Sequence, residues 1–320
     1  MGVPMRRLLL TVTPVVALAA PSAAYTLEGR VFPEAFVMLN LHGATSPFSA
    51  AADSDLRGHF RFTALEAGEY TLIVVQPGRG EVQRTVEVGP GTADAKGRVN
   101  IAVTLDDSMA DARHAKVSVA ELSVPKQAWR EYEEADKSLS HRDIAAAQKR
   151  LKRAVEIAPG FTMAWNHLGT IAYQTRQYPA AEGYFRKALT ADPAAFEPLV
   201  NLGGVLINLG KYDEALGANL DAVRARPRNA LANSQLGMAY YYTGNLDQAL
   251  KYLTTAKQID PAHFSHPQML LAQIHMRRTE RAAAADELED LLKQHPDLPE
   301  AAKIRETITR LRAPAPETSR

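Results

Sequence analysis

The sequence predicts a multidomain chain, an all-β sandwich followed by an all-α superhelical solenoid. Three observations carry that reading. Over residues 25–105, short stretches rich in Val, Phe, Tyr, Leu and Thr alternate apolar with polar positions and are broken by Gly, Pro and Asp, the texture of sandwich strands. Beyond them Pro159, Pro193, Pro227 and Pro261 fall 34 residues apart and Pro296 follows after 35, a period that marks a stack of helical pairs. Finally, 320 residues with 46% hydrophobic content can fill two separate cores.

The chain opens with Arg6 and Arg7, an apolar run over 8–20, and Pro21-Ser22-Ala23-Ala24. This is the three-part plan of a secretory signal, so residues 1–24 are read as a removable signal peptide. The run is interrupted by Pro14 and falls short of the roughly 20 residues that span a bilayer, as does every later apolar stretch. The expectation is a soluble mature protein in the periplasm or the medium, with no stable membrane insertion. Cysteine is absent, so the exported chain is held by packing without disulfides and has no thiol to acylate. With 37 basic against 36 acidic residues the net charge is +1, which argues against nucleic acid as a partner.

Within residues 25–105 the clearest strands are Gly58-His59-Phe60-Arg61-Phe62-Thr63-Ala64-Leu65 and Tyr70-Thr71-Leu72-Ile73-Val74-Val75. Their period of two puts Phe60, Phe62, Tyr70, Leu72 and Val74 on one buried face, with His59, Arg61, Thr71 and Ile73 opposite. Further strands are expected at 81–88 and 98–105, joined by a Gly-rich loop over 89–97. The segment resembles the carboxypeptidase regulatory-like family through Leu27-Glu28-Gly29-Arg30-Val31, Asp53-Ser54-Asp55-Leu56-Arg57-Gly58-His59-Phe60-Arg61-Phe62 and Leu65-Glu66-Ala67-Gly68-Glu69-Tyr70-Thr71-Leu72. The resemblance implies a seven-stranded immunoglobulin- or prealbumin-like sandwich that serves as an accessory module without catalysis. Gly58 and Gly68 permit turns, and Tyr70 can bury its ring while tying its hydroxyl to backbone. Residues 106–127 read as a linker with one short strand at Val117-Ser118-Val119.

Residues 128–312 read as about five repeats and a capping helix. Counting back from each proline, the eighth repeat position is Ala135, Gly169, Gly203, Gly237 and Ala272, and the twentieth is Ala147, Ala181, Ala215, Ala249 and Ala284. Small side chains are needed where the two helices of a repeat cross closely. Leu168, Leu202, Leu236 and Leu271 recur at the seventh position, and Ala154, Ala188, Ala222 and Ala256 at the twenty-seventh, where the last repeat has Leu291. The pattern resembles the tetratricopeptide family, with Glu134 and Asn219 as its departures. The segment 300–312 is amphipathic and caps the array through Ile304, Ile308 and Leu311, and 313–320 is expected to be a disordered tail.

Catalytic and metal chemistry find little support in this sequence. His263 and His266 lie close together, yet there is no cysteine, no H-E-x-x-H and no His-x-x-Glu, so neither a metal site nor a cofactor is expected. Gly203-Gly204 and Gly210-Lys211 fail the phosphate-loop spacing, with Tyr212 where a metal-binding hydroxyl belongs. No G-x-S-x-G elbow is present, and no catalytic residue is assigned.

The resemblance to tetratricopeptide arrays implies that the first helix of each repeat lines a concave groove. The lining is then Met163, Asn166, Thr170 and Tyr173, followed by Val200 and Ile207, then Leu231, Met238, Tyr241 and Tyr242, and finally Met269 and Met276. Such a surface is apolar and nearly uncharged. Asn166 and Asn201 remain from the carboxylate-holding version of the groove, but Glu197 and Leu231 stand where its cations belong. The expected function is a non-catalytic, exported scaffold that binds a segment of another exported protein, or of a second copy of this chain. The alternative is a polymer-binding sandwich with the repeats as a stalk, although no exposed aromatic platform is evident from the sequence.

Overall fold

The computed structural model describes residues 24–77, 79–105, 110–111 and 123–313. The expected signal up to residue 23, the linker strand at 117–119 and the tail from 314 lie outside these residues.

An all-β unit precedes an all-α solenoid, as the two periodicities require. Strands β1 (Tyr25–Phe32), β4 (His59–Leu65) and β7 (Arg98–Thr104) form one sheet, in which β1 is antiparallel to β4 and parallel to β7. Strands β2 (Met38–Gly43), β3 (Ser49–Asp53), β5 (Gly68–Gln76), β6 (Gly80–Val88) and the two-residue β8 (Ala110–Asp111) form the other, antiparallel in the order β3-β2-β5-β6-β8. Alternate residues of both sheets fill the core, including Leu27, Val31, Leu39, Leu41, Phe60, Phe62, Leu72, Val74, Val86 and Val103. Tyr70 is buried edge-on against Phe48 at 5.5 Å and donates its hydroxyl to the Glu66 carbonyl at 2.9 Å.

One expectation is corrected. Phe60 and Phe62 do not share a face with Tyr70, Leu72 and Val74, because the chain changes sheets between β4 and β5, and the two sets meet across the core. Both inner faces of a sandwich carry the same alternation, so period two cannot say which strands are neighbours.

The solenoid consists of α1 (Lys126–Ser140), α2 (Ile144–Ile157), α3 (Thr162–Gln174), α4 (Tyr178–Ala191), α5 (Phe196–Asn208), α6 (Tyr212–Ala225), α7 (Ala230–Tyr242), α8 (Leu246–Ile259), α9 (Pro267–Arg277), α10 (Arg281–Gln294) and α11 (Ala301–Arg312). Each odd-numbered helix from α1 to α9 pairs with its successor. The turn inside every pair passes through one left-handed residue: Arg142 (φ 59), Arg176 (φ 61), Gly210 (φ 73), Gly244 (φ 86) and Thr279 (φ 62). Asp143, Asn229 and Asn245 cap α2, α7 and α8 by accepting backbone N–H bonds from Ala146, Ala232 and Gln248. A methyl group at Gly237 would lie 2.7 Å from Leu253 Cγ, and Gly169 and Gly203 face Phe185 and Asn219 as closely. The small residues are therefore set by helix contact. On α11, Ile304 is buried against the array and Ile308 and Leu311 pack beside it.

Candidate functional site

The first helices α3, α5, α7 and α9 neighbour one another and form the inner layer of the array. The structure divides the twelve expected groove residues into a packed ladder of nine, of which Val200, Ile207 and Tyr241 are buried and the rest half-buried, and an exposed set of three. In the ladder, Asn166 accepts a bond from Asn201 Nδ2 at 3.0 Å, and Thr170 donates to the Asn166 carbonyl at 3.1 Å. The Tyr173 hydroxyl accepts from Asn208 Nδ2 at 3.1 Å. Val200 and Ile207 are buried, Leu231 packs against the Phe196–Val200 cluster, Met238 against the cluster holding Ile207, and Met269 against that of Leu288. Tyr241 is buried, donates to Gln273 Oε1 at 2.9 Å and carries the Arg277 guanidinium 4.5 Å above its ring. The exposed set is Met163 (36%), Tyr242 (48%) and Met276 (39%). Tyr242 stacks on Tyr212 at 4.8 Å, and partial burial raises its hydroxyl pKa, as burial does for Tyr173.

The chain's own sandwich packs against turn and helix-end residues of the array. Glu81, Gln83, Thr85 and Glu87 alternate along β6 and so lie on one face of the sheet, and each meets the array. Arg226 Nη1 lies 3.1 Å from Glu81 Oε1, and Asn229 Nδ2 donates to Gln83 Oε1 at 3.2 Å. Buried Asp260 accepts the Thr85 amide at 2.9 Å, and Asp297 accepts that of Gly91. At the start of the array, Arg142 donates to the Tyr70 hydroxyl at 3.2 Å, pairs with Glu66 and covers the Phe48 ring. Gln174 Nε2 donates to the Gly43 carbonyl at 2.8 Å. The seam thus runs from the α1–α2 turn to the residues after α10.

Burial at the seam shifts several groups. His42 on β2 and His167 on α3 are lowered to about 4, His42 by burial and then by the neighbouring imidazole, His167 by burial. Asp136, 3.5 Å from His167 Nδ1, is pushed up to about 6 by burial and by Glu133. Burial also raises Glu81 and Asp260, against the opposing pull of Arg226 in the first case and of the Thr85 bonds in the second.

These seam residues escape sequence reasoning. Polar alternation along β6 reads as a solvent face, and Arg142, Arg226, Asn229 and Asp260 read as ordinary turn and cap residues. Of the two adjacent histidines, His263 is buried with Nδ1 held 2.7 Å from Ser265 Oγ. His266 Nε2 reaches Glu69 Oε1 on β5 at 2.9 Å. No helix among the described residues is long and apolar enough to cross a membrane.

Residues 132–196 and 200–263 match the family model of the tetratricopeptide repeat. The chain is 33% identical over 119 residues to the Cell division cycle protein 16 homolog of Homo sapiens, covering 34% of this chain and 19% of that protein. It is 29% identical over 181 residues to Cellulose synthase operon protein C of Pseudomonas fluorescens (strain SBW25), covering 54% of this chain and 14% of the relative. The chain therefore spans less than a fifth of the length of either curated relative. Among solved structures, MamA 41-end from Desulfovibrio magneticus RS-1 aligns with a TM-score of 0.49 at 20% identity, over 55% of this chain and 99% of that one. The helical half of the chain carries tetratricopeptide repeats.

Proposed function

We propose that the protein is an exported, non-catalytic scaffold that binds a segment of another protein toward the C-terminal end of its repeat array. The observation that carries this reading is the pair of exposed apolar side chains, Tyr242 and Met276, beside the buried Tyr241–Gln273–Arg277 group. Aromatic and methionine side chains give large, adaptable contact area, and their exposure costs the free protein the hydrophobic stabilisation that a partner restores. The packed ladder holds the helices in register while the exposed set meets the partner. Export is supported by the signal-like plan of residues 1–24. The sandwich, read as a carboxypeptidase regulatory-like module, braces the array along the seam.

Capture from envelope and secreted fractions by the chain from residue 25 tests the proposal, with Tyr242→Ala/Met276→Ala as the comparison bait. Both positions are exposed, so the variant retains the wild-type fold. A protein retained by the wild type and lost by the variant supports the assignment, and equal capture by both removes the site from this end.

A second reading is favoured by one feature of the sandwich. Phe32 and Phe36 are 39% and 48% exposed, and Arg30 covers the Phe32 ring at 5.1 Å, a small aromatic surface of the kind a polymer chain can stack on. Glycan-array binding that Phe36→Ala abolishes would support it.

A further inference from the structure

At the far end of the seam, two carboxylates and two imidazoles converge from four elements. Glu69 on β5 and Glu87 on β6 are direct cross-strand partners, and both are mostly buried. Like charges placed opposite one another are unfavourable, and more so away from water, unless a cation lies between them. Facing them are His266, just before α9, and His295, just after α10. His266 Nε2 lies 2.9 Å from Glu69 Oε1. His295 Nδ1 lies 3.6 Å from Glu69 Oε1 and 3.4 Å from Glu87 Oε2. The two rings stand 4.3 Å apart at 76°.

A second feature points to a ligand here. His295 is 1% exposed, yet neither of its ring nitrogens has a hydrogen-bond partner, and Glu87 Oε2 is likewise buried without one. A buried imidazole and carboxylate oxygen left unsatisfied are costly, and a metal ion satisfies both at once.

We infer that Glu69, His266 and His295, with Glu87 beside them, form a binding site for a divalent transition-metal ion of the zinc class, joining the sandwich to the repeat array. The ligand atoms of Glu69, His266 and His295 all lie within 4.8 Å of one another. A tetrahedral ion with bonds of 2.0–2.1 Å to nitrogen and oxygen has ligand–ligand edges of about 3.3–3.4 Å. The spacings of 2.9 and 3.6 Å from Glu69 Oε1 to His266 Nε2 and His295 Nδ1 bracket that value. Two imidazoles select a transition metal over calcium or magnesium, which prefer all-oxygen shells. Glu87 Oε2 lies beside these three ligands, 3.4 Å from His295 Nδ1, and the burial of His295 keeps solvent away, so the ion acts as a staple between domains.

The test is titration of zinc chloride into the full chain after chelation, followed by calorimetry and thermal unfolding, with cobalt(II) absorption as an independent probe of geometry. The expected result is one equivalent bound, an intense tetrahedral cobalt spectrum and a zinc-dependent rise in the unfolding temperature. Glu69→Gln and His295→Gln each weaken binding by more than about tenfold and abolish the rise. No uptake by the wild type, an octahedral cobalt spectrum, or binding unaltered by both substitutions overturns the site. Should a variant fail to fold, the cobalt spectrum of the wild type decides the question alone.

Discussion

Asn219 is the residue where sequence pattern and packing disagree most sharply. Its position in the other four repeats is held by Leu151, Phe185, Leu253 and Leu288. Asn219 is fully buried against Gly203, and neither its amide oxygen nor its amide nitrogen has a hydrogen-bond partner. An unsatisfied buried amide costs about 1–3 kcal/mol, whereas leucine has nearly the same branching and makes no such demand. Asn219→Leu is therefore expected to raise unfolding stability by about 1–3 kcal/mol, measured by urea denaturation. Unchanged or lower stability would mean that Asn219 has a use in the fold that its surroundings do not reveal. Glu134, the other departure, is exposed and paired with Lys137 at 2.6 Å, so it needs no such compensation.

At the scale of elements, the seam replaces solvent on one sheet face with repeat turns. Among the described residues, β6 pairs with β8 only at Gly80 and Glu81, and farther along the strand Asp260 takes the Thr85 amide, which occupies a backbone donor that could otherwise pair with another chain. Between β2 and α3, His42 and His167 are held neutral down to about pH 4. The unfolded chain protonates both near pH 6.5, so from about 6.5 down to about 4 it binds more protons at these groups and stability falls with falling pH. Asp136 acts in the opposite sense: with its folded pKa raised to about 6, it favours the folded state as pH drops below that value, and so offsets one of the two imidazoles. His167→Gln is accordingly expected to flatten the fall in urea midpoint between pH 6.5 and 4. Equal slopes for variant and wild type would contradict the neutral, buried state of His167.

At the scale of the whole molecule, the repeat period and the strand alternation made the two architectures legible, because each follows from local sequence. Gly169, Gly203 and Gly237 report close helix crossings directly, and Tyr70 reports its own burial. The way the two architectures meet was not legible. It depends on polar pairs such as Glu81–Arg226 and Glu69–His266, separated by 145 and 197 residues, whose members look like ordinary surface groups in isolation. For the same reason the sequence reads the groove as one apolar strip, while in the fold Val200 and Ile207 are buried and Tyr242 and Met276 remain exposed.

The face of β6 seats on the repeat turns, making the sandwich part of the scaffold. The chain has no cysteine, so a pair can be introduced without background. The most direct measurement is intramolecular cross-linking of Gln83→Cys/Asn229→Cys by a short bis-maleimide, beside Arg61→Cys/Asn229→Cys, in which Arg61 lies exposed on the other sheet. Efficient cross-linking of the first pair and not the second is the predicted result. Failure of the first pair, or equal yield from both, would contradict the seated arrangement.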